Sequence, residues 1–411
     1  MAMVRLDMLE LAHCVEIPGR GRGLVASRDI KAGETIVREP PLIACMVEEG
    51  KKAYCAACFR KVSKGARRCT GCGEVSFCSA GCAATACCKG GSHDPSICLG
   101  LERLGEVTSE ETRDLLRYLL QAYALKASNP EAFSELLTLV GSVDGVSSTD
   151  GILDDLHARC VEAVGGLVCS SRDETAALVH KEQQNSYGIM APLGQDGERY
   201  IRGSCMYGAS SMVNHSCLPN CARFDYTDVP GPDNLDVYLR AMIDISKGDE
   251  VLACYFPLGV DIAQRRERLQ QDYGFYCDCK RCAVEETWSD DDASDAEDES
   301  EEEGKAVGGI SAEKPKPPAA AKGKAPMLAD EAAETGSDSG GEEISAVEMT
   351  ETFQSLFMMK HMCAREVCGG TLAPGAVEGA MECNMCGQFR PNTEFYALLM
   401  DDADDARAIG L

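Results

Sequence analysis

The spacing of the cysteines constrains this chain more than any other feature. Its 411 residues include 24 of them. Between positions 55 and 98 they fall as Cys55-x2-Cys58, Cys69-x2-Cys72 and Cys78-x3-Cys82, followed by His93-x4-Cys98. Close ligand pairs of this kind fit tetrahedral zinc, so eight ligands make two sites. A segment so short and so poor in aliphatic residues depends on metal to fold. All-Cys or three-Cys-one-His coordination leaves no open position, which makes both sites structural and not hydrolytic. Cys87 and Cys88 lie between Cys82 and His93, so Cys88 is an alternative to His93 as a ligand. The first residues, MAMVRLDMLELAHCVEIPG, lack the basic start and long apolar run of a secretory signal. In a reducing compartment such cysteine pairs are zinc ligands before they are disulfides.

Two more groups follow. CDCKRC supplies Cys277, Cys279 and Cys282, three thiolates without a fourth. Near the end, Cys363-x4-Cys368 and Cys383-x2-Cys386 flank GGTLAPGAVEGAME, a zinc-ribbon spacing with Gly369 and Gly387 at the knuckles.

Between the cysteine groups the chain is organised by pattern and charge. Short strands are expected around the glycine-rich GRGRGL (19–24) and the Lys-Ala-Gly turn of VASRDIKAGETIVREPPLIA. Residues 108–180 read as helices. Thr108 with Glu111 suggests a capping box before a stripe of Leu115, Leu119, Ala122 and Leu125. Asn129-Pro130 opens a second helix carrying Phe133, Leu136, Leu137 and Val140. Strands return in VYLRAMIDI and VLACYF around a KGDE turn, and no internal repeat is present. The net charge is −27, and residues 285–303 hold twelve Asp or Glu with no Lys or Arg. Such a chain is not a non-specific nucleic-acid binder, no sequence-specific nucleic-acid contact is expected, and a basic protein is the better partner. Residues 285–348 are acidic and then rich in Ala, Lys, Pro and Gly, too apolar-poor to offset their ordering entropy, and are expected to be a linker. No run approaches the roughly 18 apolar residues that would suggest a membrane span.

SMVNHSCLPNC (211–221) gathers Asn214, His215, Cys217 and Cys221 in one stretch. A catalytic dyad, a metal site and a buried polar turn are all open to it. A Cys-His hydrolase needs an unliganded cysteine, whereas Cys217 is available as the missing fourth ligand of Cys277, Cys279 and Cys282. SMVNHSCLPNC, then Cys254-Tyr255, Tyr273-Gly-Phe275 and CDCKRC, resemble in that order the SET methyltransferase core with its post-SET zinc. GRGRGL resembles that family's opening loop, and the eight-ligand block resembles a MYND finger. A finger inserted between the two SET halves is the layout of the SET-and-MYND lysine methyltransferases, a resemblance that covers about residues 5–283.

The resemblance implies an α+β fold: a SET-domain β-core of the β-clip type interrupted by a MYND zinc finger, with a helical insert, a post-SET zinc segment and a small C-terminal ribbon. The corresponding map is an N-terminal SET half (1–48), the finger (49–100), the helical insert (101–182), the C-terminal SET half (183–262), the post-SET segment (263–284), the linker (285–348) and the ribbon with its tail (349–411). Family cross-bracing assigns Cys55, Cys58, Cys78 and Cys82 to one zinc, and Cys69, Cys72, His93 and Cys98 to another. With the post-SET site and the ribbon, four Zn2+ are expected. S-adenosyl-L-methionine would be bound by Arg20, Arg22, Asn185, Ser211, Asn214, His215, Tyr255 and Phe275. Tyr255 matches the tyrosine at the transfer point, Tyr273 a wall of the lysine channel, and Tyr187 a position that biases the number of methyl groups added. The implied activity is N-methylation of lysine in a histone tail or other basic protein, in nucleus and cytoplasm, with a proline-rich peptide as a partner of the finger. The rival reading is a MYND-type adaptor with an idle SET core. Two departures stand out: the interval from Cys82 to His93 is long and lacks the family's tryptophan, and the usual C-terminal helical repeat domain, which walls one side of the substrate groove, is absent.

Overall fold

The computed structural model describes residues 9–104, 109–141, 150–164, 169, 171–194, 199–287, 346–365 and 367–393. Of the expected linker, 288–345 lie outside the described residues, as does the tail after 393.

The chain opens with a hairpin of β1 (Ala12–Ile17) and β2 (Gly21–Ala26), whose turn places Gly19 and Gly21 at φ of 76° and 70°, the left-handed region open to glycine. β3 (Thr35–Glu39) and β4 (Ile43–Met46) lead into the cysteine-rich block, which holds only β5 (Arg67–Arg68), β6 (Ser76–Phe77) and α1 (Ala80–Ala86) before α2 (Pro95–Arg103). Four helices follow in the described residues: α3 (Glu110–Ser128), α4 (Pro130–Thr138), α5 (Asp150–Val164) and α6 (Arg172–Asn185). The cap of α3 is Ser109, whose Oγ accepts from Thr112 N–H at 3.3 Å, one residue later than the Thr108 box expected. α4 begins as its Asn-Pro pair suggests, with Asn129 Oδ1 accepting from Ala132 N–H at 3.1 Å. Leu119 and Ala122 are buried, but Leu115 and Leu125 only partly, because Leu116, Leu120 and Tyr123 share the inward face of α3. Leu137 and Val140, expected in the apolar stripe of α4, are 38% and 56% exposed.

The second half supplies β7 (Ser186–Met190), β8 (Ile201–Met206), β9 (Asn214–His215), β10 (Cys221–Asp225), β11 (Val237–Ala241) and β12 (Glu250–Ala253). The main sheet runs β1-β2-β12-β10-β11-β3, with β9 also on β12. Segments about two hundred residues apart in sequence therefore pair directly: Leu24 faces Val251 and Glu39 faces Val237. Leu24, Ile30, Ile36, Val37, Val213, Leu239 and Val251 form the core beneath this sheet. A second sheet, β4-β8-β7, carries the helical insert. The cysteine-rich block shares a core with that insert, since Val75, Phe77 and Ile97 pack among Leu116, Leu119 and Leu120. Glu48 and Glu74 reinforce the junction, pairing with Arg117 at 3.0 and 3.1 Å, while Lys51 meets Glu74 at 2.9 Å.

After β12, α7 (Ile262–Arg268) widens into a π turn over Leu269–Tyr273 and stops at Gly274, whose φ of 74° ends the helix. α8 (Lys280–Glu285) follows the post-SET cysteines. The C-terminal module comprises α9 (Ala346–His361) and a small antiparallel sheet of β13 (Leu372–Pro374), β14 (Ala380–Cys383) and β15 (Phe389–Pro391). It is docked on the SET sheet: Phe357 and Ala373 pack with Ala222, Phe224, Met242 and Leu258. Arg240 of β11 meets Glu382 of β14 at 2.6 Å, each side chain 9% exposed, and Tyr226 Oη donates to the same carboxylate at 3.1 Å.

Candidate active site and metal centres

Among the described residues, four groups of ligand atoms are gathered, each with every member within 4.8 Å of the others: Cys55, Cys58, Cys78, Cys82; Cys69, Cys72, His93, Cys98; Cys217, Cys277, Cys279, Cys282; and Cys363, Cys368, Cys383, Cys386. Ligands about 2.0–2.3 Å from one tetrahedral zinc stand roughly 3.3–3.8 Å apart. The observed separations match: Cys69 to Cys98 is 3.6 Å, His93 Nε2 to Cys69 is 3.3 Å, Cys217 to Cys282 is 3.5 Å and Cys368 to Cys383 is 3.6 Å. The first two groups interleave along the chain, giving a cross-braced arrangement. Cys88 belongs to neither; it is exposed, and its thiol donates to Thr85 O at 2.9 Å. The donor sets fit zinc, and the site at Cys217 joins the NHSC turn to the segment after Tyr273. Arg265 buttresses it, lying 3.6 Å from Cys282 Sγ and 2.6 Å from Glu285.

Next to that site is a cavity of about 400 Å³. Tyr187, Ser211, Val213, Tyr255 and Tyr273 line one side, and Gly369, Thr371, Asn384 and Met385 of the C-terminal ribbon line the other. Tyr255 Oη donates to Val213 O at 2.9 Å, and its ring centroid lies 4.9 Å from that of Tyr273. Tyr187 Oη donates to Ser210 O at 2.9 Å. Burial raises the pKa of all three tyrosines, so their hydroxyls stay protonated and can orient a substrate amine without acting as strong bases.

His215 ties this cavity to the metal centre. Its Nδ1 accepts from Tyr255 N–H at 3.2 Å, so the ring proton sits on Nε2, which faces Cys217 Sγ at 3.3 Å. Burial pushes its pKa down to about 4, keeping the ring neutral. The parallel pairing of β9 with β12, Asn214 beside Leu252 and His215 beside Ala253, sets this geometry.

The expected cofactor residues do not all meet at one place. Asn185 and Ser211 line the cavity with Tyr255. Arg20 and Asn214 instead converge on Glu250, at 3.3 and 2.8 Å. Arg22 does not reach the cavity wall. Arg22, Lys181 and Asn185 donate to three successive carbonyls, those of Thr138, Leu139 and Val140 at the end of α4. Phe275 is half-buried, 6.2 Å from His215 and 6.4 Å from Tyr273 between ring centroids. Sequence reasoning missed Glu250, which it read only as part of the KGDE turn, and Lys181, which nothing but its place on a helix next to Asn185 could have signalled. It also missed the ribbon residues in the cavity, for which no local signal exists.

The family model for the SET domain matches residues 21–256. Histone-lysine N-methyltransferase ASHR2 of Arabidopsis thaliana is 34% identical over 408 residues, covering 92% of this chain and 95% of that protein. N-lysine methyltransferase SMYD2-B of Danio rerio is 27% identical, covering 65% of this chain and 59% of its own length. Among solved structures, the SET domain of LSMT bound to lysine and AdoHcy overlaps 66% of this chain and 54% of its own, at 13% identity and a TM-score of 0.31, too loose a match to carry an argument. The family match over more than half of the chain, together with the near-full-length relative, shows that this protein belongs to the SET domain family.

Proposed function

We propose that the protein is an S-adenosylmethionine-dependent protein-lysine N-methyltransferase acting on a histone tail or another basic protein. The observation that carries this reading is the tyrosine-walled cavity whose Tyr255 is anchored through His215 to a four-cysteine site. The two relatives named above are lysine methyltransferases by name. Beside Asn185, which lines the cavity, Arg22 and Lys181 supply positive charge from behind the wall: among the described residues neither has a carboxylate partner, and burial beside Arg22 lowers the pKa of Lys181. An anion there would relieve both cations. When bound, S-adenosylmethionine supplies an electrophilic methyl group on a sulfonium sulfur. The chain's own task is to deliver a neutral amine to it. Free lysine has a pKa of about 10.4, and an aromatic cavity that excludes water lowers it by penalising the ammonium. The hydroxyls of Tyr255 and Tyr187 then fix the direction of the amine's lone pair, which is a positioning effect. Each cysteine cluster holds one zinc in this reading, and the first block offers a surface for a proline-rich peptide. The reading extends to work in nucleus and cytoplasm, which imaging of the tagged full chain would test.

The decisive assay uses labelled S-adenosylmethionine with core histones and, separately, a proteome-derived protein pool. Tyr255→Phe should reduce incorporation about tenfold or more, the loss expected from one buried hydrogen bond at the reacting centre. Cofactor binding with no Tyr255-dependent incorporation into any protein would instead favour an adaptor with an idle SET core.

A further inference from the structure

The C-terminal ribbon contributes a wall of the cavity that the tyrosines line, and the contact is built rather than incidental. Asn384 and Met385 occupy the two positions between Cys383 and Cys386, so the cysteine knuckle itself presents them. Asn384 is held on both sides: its Nδ2 donates to Arg223 O of β10 at 2.9 Å, and its Oδ1 accepts from Thr371 N–H at 2.8 Å. Behind the knuckle, the buried Arg240–Glu382 pair and the Phe357–Phe224 packing fix the ribbon to the sheet. A second cavity of about 320 Å³ continues from the first, sharing Met190, Arg199, Asp225, Asn384 and Met385 with it. Together they form a trough that leaves the tyrosines and runs between the SET domain and the ribbon.

The chemistry of that trough selects its occupant. Several charges flanking it are paired: Arg202 meets Asp228 at 2.7 Å, Arg223 meets Asp225 at 3.4 Å, and Arg240 meets Glu382 at 2.6 Å; Arg199 donates to Ala191 O at 2.7 Å, and Arg365 lines the outer part, exposed. Met385 is accompanied in the two linings by the apolar Met190, Pro192, Leu193 and Pro257. We propose that the trough seats the segment of the protein substrate next to the target lysine, and that Met385 is a specificity-determining residue that selects an apolar side chain beside that lysine. The proposal rests on the lysine-methyltransferase reading for the identity of the central residue. A substrate that is basic as a whole can present such a flank, so the two readings are compatible but separable.

The test uses the full chain and two synthetic peptide pools, each with one central lysine, flanked by leucine in one pool and by arginine in the other. Methyl incorporation from labelled S-adenosylmethionine is one readout. Retention of the peptides on immobilised protein saturated with S-adenosylhomocysteine is the other, and it does not depend on turnover. Wild type should favour the leucine-flanked pool in both. Met385→Glu should raise KM for that pool about tenfold or more, the scale of a mismatched apolar contact, and move the preference toward arginine flanks. Met385→Leu should retain the wild-type preference. Affinity for S-adenosylmethionine, measured by calorimetry without peptide on each variant, separates a change in peptide KM from a change in cofactor binding, since Met385 lines the same cavity as Asn185, Ser211 and Tyr255. Equal use of both pools by wild type, or the same preference in Met385→Glu, overturns the proposal. Retention with the expected preference but no methyl transfer supports the ribbon wall and rejects the activity. Absence of both retention and transfer removes the trough as a peptide site.

Discussion

At the scale of single residues, the tightest construction is where Gly23, Asn214 and Glu250 meet. A Cβ on Gly23 would stand 2.3 Å from Ile17 Cδ1, 2.8 Å from Asn214 Nδ2 and 3.0 Å from Glu250 Oε1. Gly23→Ala should therefore displace the Asn214–Glu250 hydrogen bond and lower stability by about 1–3 kcal/mol, as overpacking does. Thermal unfolding and calorimetric titration of S-adenosylmethionine on the same preparation would show both effects, and an unchanged melting temperature would mean that the close approach is easily relieved. Asn214→Ala removes the donor without crowding, leaving Glu250 Oε1 with one partner fewer. It should cost about 1–3 kcal/mol of cofactor binding in a protein that still folds; unchanged affinity would exclude Asn214 from the cofactor site. GRGRGL and NHSC each announce themselves in the sequence, whereas their meeting at Glu250 required the β2–β12 pairing.

At the scale of elements, two zinc-type clusters that look alike in sequence have different neighbours. The Cys217 site contacts His215 and, through it, Tyr255, so Cys279→Ser should lose about one zinc per chain and most methyl transfer together. Cys72→Ser should also lower zinc content by about one ion but spare transfer to a short peptide. It should still cost stability, because Val75 and Phe77 belong to the core shared with α3. Elemental analysis, melting temperature and turnover on matched samples separate the two cases; full zinc and full activity in both Cys217→Ser and Cys279→Ser would eliminate the shared site.

The same junction carries a pH dependence. Burial raises the pKa of Asp114 to about 6, against the opposing pull of Arg117 and the Glu48 N–H bond at 2.7 Å. An unfolded aspartate has a pKa of about 3.9, so between roughly pH 4 and 6 the folded chain holds a proton that the unfolded chain has released, and stability falls as pH rises through that window. Asp114→Asn keeps the acceptor and removes the titration. Its unfolding free energy should exceed that of wild type increasingly from pH 4 to 7, by an amount near or below about 1 kcal/mol once solvent screening is allowed for, read from denaturant unfolding at each pH. A constant difference across that range would assign the effect to something other than ionisation.

At the scale of the whole molecule, the ribbon and the SET domain are joined by contact as well as by the intervening chain. Proteolysis should cut first between residues 288 and 345, where charge is dense and apolar side chains few. The two fragments should nevertheless elute together, because the nick leaves the Arg240–Glu382 pair and the Phe357 packing intact. Glu382→Ala should release the ribbon: it leaves Arg240 buried without its partner, a change that costs roughly 3–5 kcal/mol. Co-elution of nicked Glu382→Ala fragments would show that apolar contacts suffice.

What this chain's sequence determined by itself is what short range can encode. Paired zinc ligands have two to four residues between them because one knuckle must aim both at the same ion, so the pairs and the ribbon are legible from spacing alone. NHSC, Cys254-Tyr255 and CDCKRC carried the SET resemblance in their order. Spacing alone does not choose between His93 and Cys88; the turn after α1 does, by pointing Cys88 at Thr85 O and solvent. The helix stripes were legible only in part, since Leu137 and Val140 look like core residues until no neighbour covers them. The destination of Arg22, the convergence on Glu250 and the presence of Asn384 and Met385 in the cavity were decided by tertiary structure. Each depends on complementary surfaces from segments more than a hundred residues apart, and no local pattern records which distant face a side chain will meet.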